Sequence, residues 1–554
     1  MNRVTKTKAI NTATKTAISL ATFTLPILFV MPLNSVFTGY YVVLSLLVVT
    51  SALTLNGWLG NLAKLLLTVS CLVSILSLAV SGGFLATGAL HSILLTNSEE
   101  VVGYFQLINW TSFIPCMIFA LVGLACFWTT RLPFKASNKA ILMVCTLSFA
   151  ALIPAFKWYA DPETKHQLTE SKLNSLYLYQ DVPAYNLYRV AALAFIERYR
   201  SHNDYGSTLP DHIVSTEPRA LPQNIIVVIG ESSRRASYSL YGSQINATPN
   251  LLARSKASAQ PMQIVDGAFA PASNTRESVP RSFSFATTEH QLFTGLSHAN
   301  LIDVARSIGY HTTWVTTQTL YTRWDSFTAK VATSADRVIH TNDNHNRWHD
   351  RDAVEAVKKQ LIARDKKQFI VLHLSGEHAD YAIRNGEPLP KKHFEAIKAQ
   401  LSKHQTISST ELAYLSSIHM TDDLLDNLVS AMFDDATNSL LVYFSDHGEV
   451  IGKGHGLQPI QIEEELAIPY LAIGTLANKM ARVIDCYRDH RHQLYNNSYF
   501  PEVLLSTLGM KVNPPRQSQT FTYYSIQGET EVLPTDFSFT FFHQGDKQCK
   551  KSVH

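Results

Sequence analysis

The first 156 residues constrain this chain more than any motif does, because they hold five long, nearly uncharged apolar runs, at roughly 16–36, 39–58, 62–81, 112–130 and 138–156. Each is near the ~20 residues that a helix needs to cross a bilayer core. A cleaved leader is the rival reading of the first run, but further apolar runs follow it and no small-residue cleavage site ends it. Lys and Arg near span ends stay on the cytoplasmic side. Arg3, Lys6, Lys8 and Lys15 therefore put the N-terminus inside. Lys64 marks the connection between the second and third runs, and Arg131, Lys135 and Lys139 mark that between the fourth and fifth. The turn around Asn34 to Gly39 is uncharged, and the third connection, Ser81 to Trp110, has no Lys or Arg. An odd number of spans alternating in this way delivers everything after Phe156 to the extracytoplasmic side.

The rest of the chain has the mixed polarity of a water-facing domain. With 47 Lys and Arg against 44 Asp and Glu the formal charge is only +3, which argues against a nucleic-acid partner. Cys71, Cys116, Cys126 and Cys145 sit in or beside the apolar runs, leaving Cys486 and Cys549 in the exported part. Two cysteines make no disulfide framework, and sequence alone leaves open whether they pair.

Three segments follow: a membrane domain over 1–156, a bridge over 157–222 and a folded domain over 223–554. The bridge, with "NSLYLYQDVPAYNLYRVAALAFIERYR", is amphipathic and rich in tyrosine, which suits a segment lying at the headgroup interface and equally an ordinary surface helix. Beyond it, "NIIVVIG", "HTTWVTT", "QFIVLHLSG", "SLLVYFSDHG" and "IPYLAIG" are continuous apolar runs, as expected of strands buried on both faces of a parallel sheet. Helical stretches at Asn300 to Ile308, Arg351 to Ala363 and Ser409 to Met432 alternate with them, so the expected class is α/β.

In such sheets reactive groups collect at the carboxyl ends of strands. "NIIVVIGES" ends at Glu231, and "SLLVYFSDHGE" ends with Asp446 and His447. Carboxylate plus imidazole is a donor set for a divalent metal, and it suits Zn²⁺ better than Mg²⁺. Taken singly, each of these residues has a bland reading as a turn or a helix N-terminal charge. Together, in an exported domain with further histidines, they point to a metal site. His378 and His455 fall in polar loops, whereas His373 lies inside an apolar run and reads as structural. The polar run "NTRESVPRSFS" contains Thr275, whose hydroxyl becomes a useful nucleophile only where a base or a metal lowers the cost of ionising it.

"GESSRRASYSLYG…TPNL", "NTRESVPRSFS", "LHLSGEHADYAIR" and "YFSDHGEVIGKGHG" resemble the ordered blocks of the membrane phosphoethanolamine transferases of Gram-negative bacteria, within the alkaline phosphatase and sulfatase superfamily. The resemblance covers essentially the whole chain, including "TNSEEV" in the third connection, and its most specific block is Thr-x-x-Ser-Val-Pro at Thr275 to Pro280. It implies a five-helix transmembrane domain followed by a periplasmic sulfatase-like α/β domain with a central, mostly parallel sheet. It further implies that Glu231, Thr275, Asp446 and His447 bind zinc and that Thr275 carries phosphoethanolamine during transfer. His378 and His455 would bind the phosphoryl group, a second zinc, or both. Asn97 and Glu100 would face the lipid-side entrance.

The implied reaction is a ping-pong transfer from phosphatidylethanolamine to a hydroxyl or phosphate of an envelope glycan or glycolipid, by an enzyme of the inner membrane. Two departures stand out. Lipid A-modifying members typically have cysteines flanking the nucleophile, where this chain has Ala272 and Arg281, and Gly-Glu-His replaces the more usual Gly-Ser-His, placing Glu377 beside His378. The alternatives are a phosphoglycerol transferase or a sulfatase of the same superfamily. The sulfatase Cys/Ser-x-Pro-x-Arg block is not matched by Thr275-Arg276-Glu277. A non-catalytic membrane sensor is the third reading, against which the intact quartet of Glu231, Thr275, Asp446 and His447 speaks.

Overall fold

The structure is a computed structural model describing residues 3–30, 36–81, 84–85, 90, 108–147, 183–188, 190–192, 208–214, 221–257, 260–286, 298–318, 327–340, 349–361, 366–378, 380–384, 387–401, 406–433, 438–456, 461–513, 521–524 and 530–542. The chain forms two compact units, one built on the apolar N-terminal helices and the other on residues beyond 197.

The first unit contains helices α1 (Arg3–Val30), α2 (Val36–Thr54), α3 (Gly57–Ser81) and α4 (Trp110–Thr129), followed by α5 (Ala136–Leu147). Three of them are long and apolar enough to cross a membrane, over Ala9–Val30, Gly57–Val80 and Trp110–Thr129. Of the five expected spans, three meet that length and composition among the described residues. The apolar part of α2 is only Thr38–Thr54, and α5 is described only to Leu147, with 148–156 outside the described residues. The first helix also begins earlier than its apolar run, since hydropathy locates the greasy stretch and not the helix, which continues through the basic, threonine-rich end.

Packing in this unit depends on one close approach. A Cβ on Gly123 of α4 would fall onto the Thr22 side chain of α1, so only glycine lets these helices meet there. Phe23 and Phe127 pack nearby with ring centroids 5.1 Å apart and planes tilted by 57°. Lys64 donates from Nζ to the carbonyls of Phe127 (3.1 Å) and Thr130 (2.7 Å), satisfying the end of α4. The Leu132 amide donates to the Leu53 carbonyl at 2.9 Å. The end of α2, the start of α3 and the end of α4 therefore gather at one end of the bundle, as the placement of Lys64 and Arg131 requires. Most of the bridge, 157–222, lies outside the described residues, but Pro183 accepts from Ser70 Oγ at 2.6 Å and Asn186 donates to the Leu85 carbonyl at 3.0 Å.

The second unit is built on a seven-stranded sheet. Its strands are β1 (Asn224–Gly230), β2 (Met262–Ile264), β3 (Tyr310–Thr316), β4 (Arg337–His340), β5 (Lys367–His373), β6 (Ser439–Ser445) and β7 (Tyr470–Gly474), in the spatial order β2-β7-β6-β1-β5-β3-β4. Pairing is parallel from β6 through β1, β5 and β3 to β4, and antiparallel only where β7 meets β6 and β2. All five apolar runs read as strands are strands. The edge strands β2 and β4 escape a hydropathy reading because "MQI" and "RVIH" are short and half-polar.

Continuous apolar runs are explained by what lies on each face. Ile225, Val227 and Ile229 of β1 enter one core, and Ile226 and Val228 enter the other, with the same alternation in β5 and β6. The first core is closed by α7 (Thr275–Phe283), α8 (Leu301–Ser307), α9 (Phe327–Ala332) and two later helices. The second is closed by α6 (Pro249–Lys256), α10 (Asp350–Leu361), α11 (Lys391–Lys398) and α12 (Ser409–Phe433).

Candidate active site and metal centre

Adjacent strands β1 and β6 end in register, Ser445 opposite Gly230, so the next residues, Glu231 and Asp446, emerge side by side at the carboxyl edge. Glu231, Asp446 and His447 are all essentially buried. The turn after β1 is strained: Ser232 holds a positive φ of 57°, an uncommon conformation for a residue with a side chain. It persists because its amide donates to Asp446 Oδ1 at 3.2 Å, its carbonyl accepts from Tyr414 at 2.7 Å and its hydroxyl donates to Glu231 Oε1 at 2.9 Å.

The run holding Thr275 is a helix and not a loop. Asn274 caps it by accepting from the Glu277 amide at 3.1 Å, which leaves Thr275 as its first residue. Ser278 of the Ser-Val-Pro block donates to the Asp446 carbonyl, fastening this helix to the end of β6. Thr275 Oγ1 thereby reaches Glu231 Oε2 at 3.0 Å and lies 3.3 Å from His447 Nε2. His447 Nε2 is in turn 3.2 Å from Glu231 Oε1 and 3.3 Å from Asp446 Oδ2. The four residues expected to act together are therefore in mutual contact.

His455 faces His447 with ring centroids 4.0 Å apart, and His378 lies edge-on to His455 at 5.5 Å. His455 Nδ1 contacts Glu449 Oε2 at 2.6 Å and Ser232 Oγ at 3.1 Å, while Glu449 also accepts from the Tyr381 hydroxyl. Glu231, His378 and His455 form one group able to hold a metal ion, and Glu231, His373 and Asp446 form another. His373 is thus corrected from structural to a neighbour of the centre. It is the last residue of β5, the strand beside β1, and its ring nitrogens have no hydrogen-bond partner among the described residues. Gln318 was also missed: it donates from Nε2 to Glu231 Oε2 at 2.9 Å and to the Leu374 carbonyl at 3.1 Å. Its signal was present, since "WVTTQ" places it just past the end of β3. Asn97 and Glu100 lie outside the described residues.

Electrostatics show what the cluster lacks. Burial pushes the Asp446 carboxyl well up, and the Glu231 charge adds to this. Burial opposes ionisation of Glu231 too, yet the charges of His447, His378 and His455 outweigh it and hold that carboxyl well below its usual range. Burial would lower the His447 imidazole, but Asp446 and Glu231 more than offset it and hold it up at about 10. His373 is pushed down by burial to about 4, and burial also lowers His455. Two buried carboxylates thus favour the protonated form of the His447 imidazole between them, and a bound cation would supply that positive charge instead. The donors fit a metal ion. His447 Nδ1 contacts the Gly448 carbonyl at 2.9 Å, which turns Nε2 toward the carboxylates, and Asp446 Oδ2 is buried without a hydrogen-bond partner among the described residues.

Glu377, expected beside the phosphoryl-binding His378, has a structural role. Its Oε1 accepts from Arg384 Nη2 at 2.8 Å and Thr421 Oγ1 at 2.6 Å, and it is fully buried. Arg384 Nη1 reaches Asp350 Oδ2 at 3.2 Å, while Asp350 accepts from the Ser375 and Gly376 amides at 2.9 and 3.1 Å. This network holds the turn after β5 hard against Glu231. At Gly376, with φ 49°, a Cβ would lie 2.7 Å from the Glu231 backbone nitrogen and oxygen. The missing cysteines are also accounted for. Arg281, fully buried, stacks over the Tyr524 ring at 3.9 Å and pairs with Glu277 at 3.2 Å, and Ala272 forms a β-bridge with Tyr524. Cys486 is disulfide-bonded, and Cys549 lies outside the described residues.

Fold and site together define an α/β domain that gathers carboxylates, imidazoles and one hydroxyl at the carboxyl edge of a mostly parallel sheet. The chain belongs to the sulfatase family, whose model matches residues 223–510. It is similar to phosphoethanolamine transferase EptC of Escherichia coli O18:K1:H7, 26% identical over 236 residues, which are 42% of this chain and 40% of that protein. A second relative, phosphoethanolamine transferase CptA of Salmonella typhimurium, is 25% identical over 299 residues, 52% of this chain and 51% of the other. The chain thus spans about two fifths to one half of the length of these relatives. Among solved structures it resembles the integral membrane lipooligosaccharide phosphoethanolamine transferase A of Neisseria meningitidis, with a TM-score of 0.58 and 16% identity over 92% of this chain and 96% of that one. At that identity the likeness is one of fold, and it extends across the membrane helices.

Proposed function

We propose that this protein is a zinc-dependent phosphoethanolamine transferase of the bacterial inner membrane. It would take phosphoethanolamine from phosphatidylethanolamine and pass it to a hydroxyl or phosphate of a periplasmic envelope glycan or glycolipid. One observation carries this reading: the hydroxyl of Thr275, at the first turn of its helix, lies within 3.3 Å of both Glu231 and His447 inside a buried carboxylate and imidazole cluster. The names of the relatives support the choice of transferred group.

Glu231, Asp446, His447 and Thr275 would hold the zinc, which when bound supplies Lewis acidity toward the threonine oxygen and a phosphoryl oxygen. Thr275 Oγ1 attacks the phosphorus of the lipid, its proton passing toward Glu231 Oε2, and the bond to the diacylglycerol oxygen breaks. His378 or His455 gives that oxygen its proton. The resulting phosphothreonine sits at the positive end of the helix dipole of α7, which favours the added negative charge. An acceptor oxygen then attacks the same phosphorus and gives its proton to the histidine, while the bond from phosphorus to Thr275 Oγ1 breaks and that oxygen takes back the proton held by Glu231. Glu449 orients His455, and the network of Glu377, Arg384 and Asp350 keeps the turn after β5 against Glu231.

Intact mass measurement of the purified protein after incubation with phosphatidylethanolamine tests this directly. A phosphoethanolamine adduct mapping to Thr275 is expected, and Thr275→Ala should lose both the adduct and transfer, by about 10³-fold or more. Transfer by Thr275→Ala at the wild-type rate would remove the nucleophile assignment.

A further inference from the structure

A second cluster of metal-type ligands lies on the other face of the sheet. His393 on α11 and His419 on α12 bring their Nδ1 atoms within 3.0 Å of each other, with ring centroids 5.2 Å apart. Asp423 follows His419 by four residues, one helical turn on, and so shares its face. One donor atom from each of His393, His419 and Asp423 lies within 4.8 Å of the others. His393 is buried, and the other two are half-buried.

We propose that His393, His419 and Asp423 form a second divalent transition-metal site, separate from the Thr275 centre, that staples helix α11 onto helix α12.

The donors have the right chemistry and spacing. Two imidazoles and one carboxylate favour Zn²⁺, Cu²⁺ or Ni²⁺ over the oxygen-seeking Mg²⁺ and Ca²⁺. Bonds of about 2.0–2.1 Å to two imidazole nitrogens of a tetrahedral zinc place those nitrogens about 3.3 Å apart, close to the separation present here. Both imidazoles are held neutral, His393 at about 4 and His419 lowered likewise, in each case chiefly by burial. Their lone pairs need not be stripped of protons before a metal binds.

As the pair stands, a single N–H···N hydrogen bond joins two rings, and it forms only when one ring carries the proton on Nδ1 and the other does not. A cation replaces that proton and engages both nitrogens at once. Asp423 is prepared for the third position: Asn250 of α6 donates to its Oδ1 at 3.0 Å and fixes the carboxylate. Lys392 contacts Oδ2 at 2.7 Å, but its side chain is two-thirds exposed and such solvent-exposed pairs are weak, so a metal displaces it readily. The same α12 carries Ser417 and Thr421, which contact Arg384 in the network beneath the catalytic turn. The staple therefore fixes a helix that supports the active site without touching it.

The test uses the full-length protein in detergent, stripped with chelator and re-equilibrated with Zn²⁺ alone. An Asp446→Asn background weakens the Thr275 centre, so that residual zinc reports the second site. Metal analysis after equilibrium dialysis should find about one zinc per chain in that background and a zinc-dependent rise in melting temperature. Adding His393→Gln or His419→Gln should abolish both. His419 is half-exposed, so His419→Gln tests the ligand without disturbing the core, and unchanged circular dichroism should accompany its loss of zinc. In the wild-type background His419→Gln should lose one equivalent and keep transfer activity at saturating zinc. Zinc content and zinc-induced stabilisation that survive both histidine substitutions, or an Asp446→Asn protein that holds no zinc, would overturn the proposal and leave the pair as a plain hydrogen bond.

Discussion

Individual side chains around Glu231 do two kinds of work, and burial separates them. Thr275, His447 and Asp446 meet at the carboxyl edge, where their charges are balanced only by a shared proton or a cation. Glu377 and Asp350 are equally buried carboxylates, but Arg384 lies between them and pairs with both. Breaking such a pair strands charge in a low-dielectric interior, which costs about 3–5 kcal/mol. Arg384→Met should therefore lower the unfolding free energy by about that much, seen as a lower midpoint in chemical denaturation, and loosen the Ser375–Gly376 turn. A midpoint equal to that of the wild type would show that the network contributes nothing. Glu377→Gln keeps the Thr421 and Arg384 contacts available and should cost far less. Sequence placed Glu377 next to a catalytic histidine, and only packing shows that neighbours in the chain here point to different tasks.

Elements are held in place by partners distant in sequence. The helix Pro249–Lys256 receives no cap from its own Thr248 side chain, and its Asn250 and Leu251 amides donate instead to Asp422 at 2.8 and 2.9 Å. Burial raises the Asp422 carboxyl to about 7, with Asp423 and Asp426 adding to the shift and these amide bonds opposing it. Its folded pKa lies above the ordinary value of about 3.9, so the stability it contributes is full below that value and is lost as pH rises through about 7. Asp422→Asn removes the titration. The margin of the wild type over this variant should shrink between about pH 4 and about pH 7, and a margin independent of pH would reject the linkage. The helix of Thr275 shows a related substitution of means. Arg281 stacks on Tyr524 and Ala272 pairs with it along the backbone, so packing ties this helix to the short strand Thr522–Tyr524.

At the scale of the whole molecule, membrane helices precede a sulfatase-type α/β domain, and the basic residues set the expected orientation. In a Cys145→Ser background, a membrane-impermeant thiol reagent added to intact cells with permeabilised outer membranes should label Asp536→Cys and leave Ser137→Cys unlabelled until the inner membrane is opened. Equal labelling of both would mean that the exported side has been misassigned. Much of this architecture was legible in the sequence because it rests on local pattern. Apolar length marks membrane helices, doubly apolar runs such as "NIIVVIG" mark buried parallel strands, and residues just past them, Glu231 and Asp446, fall at the carboxyl edge for geometric reasons. What sequence alone determined was thus the two-part plan, the strands of the sheet and the quartet at its edge. Tertiary structure decided the rest: that Thr275 opens a capped helix, that His373 and Gln318 join the centre from neighbouring strands, that Glu377 serves a buried arginine, and that His393 meets His419. Each depends on which chain-distant elements lie side by side, and that is set by packing across the sheet and between helices, which no local periodicity encodes.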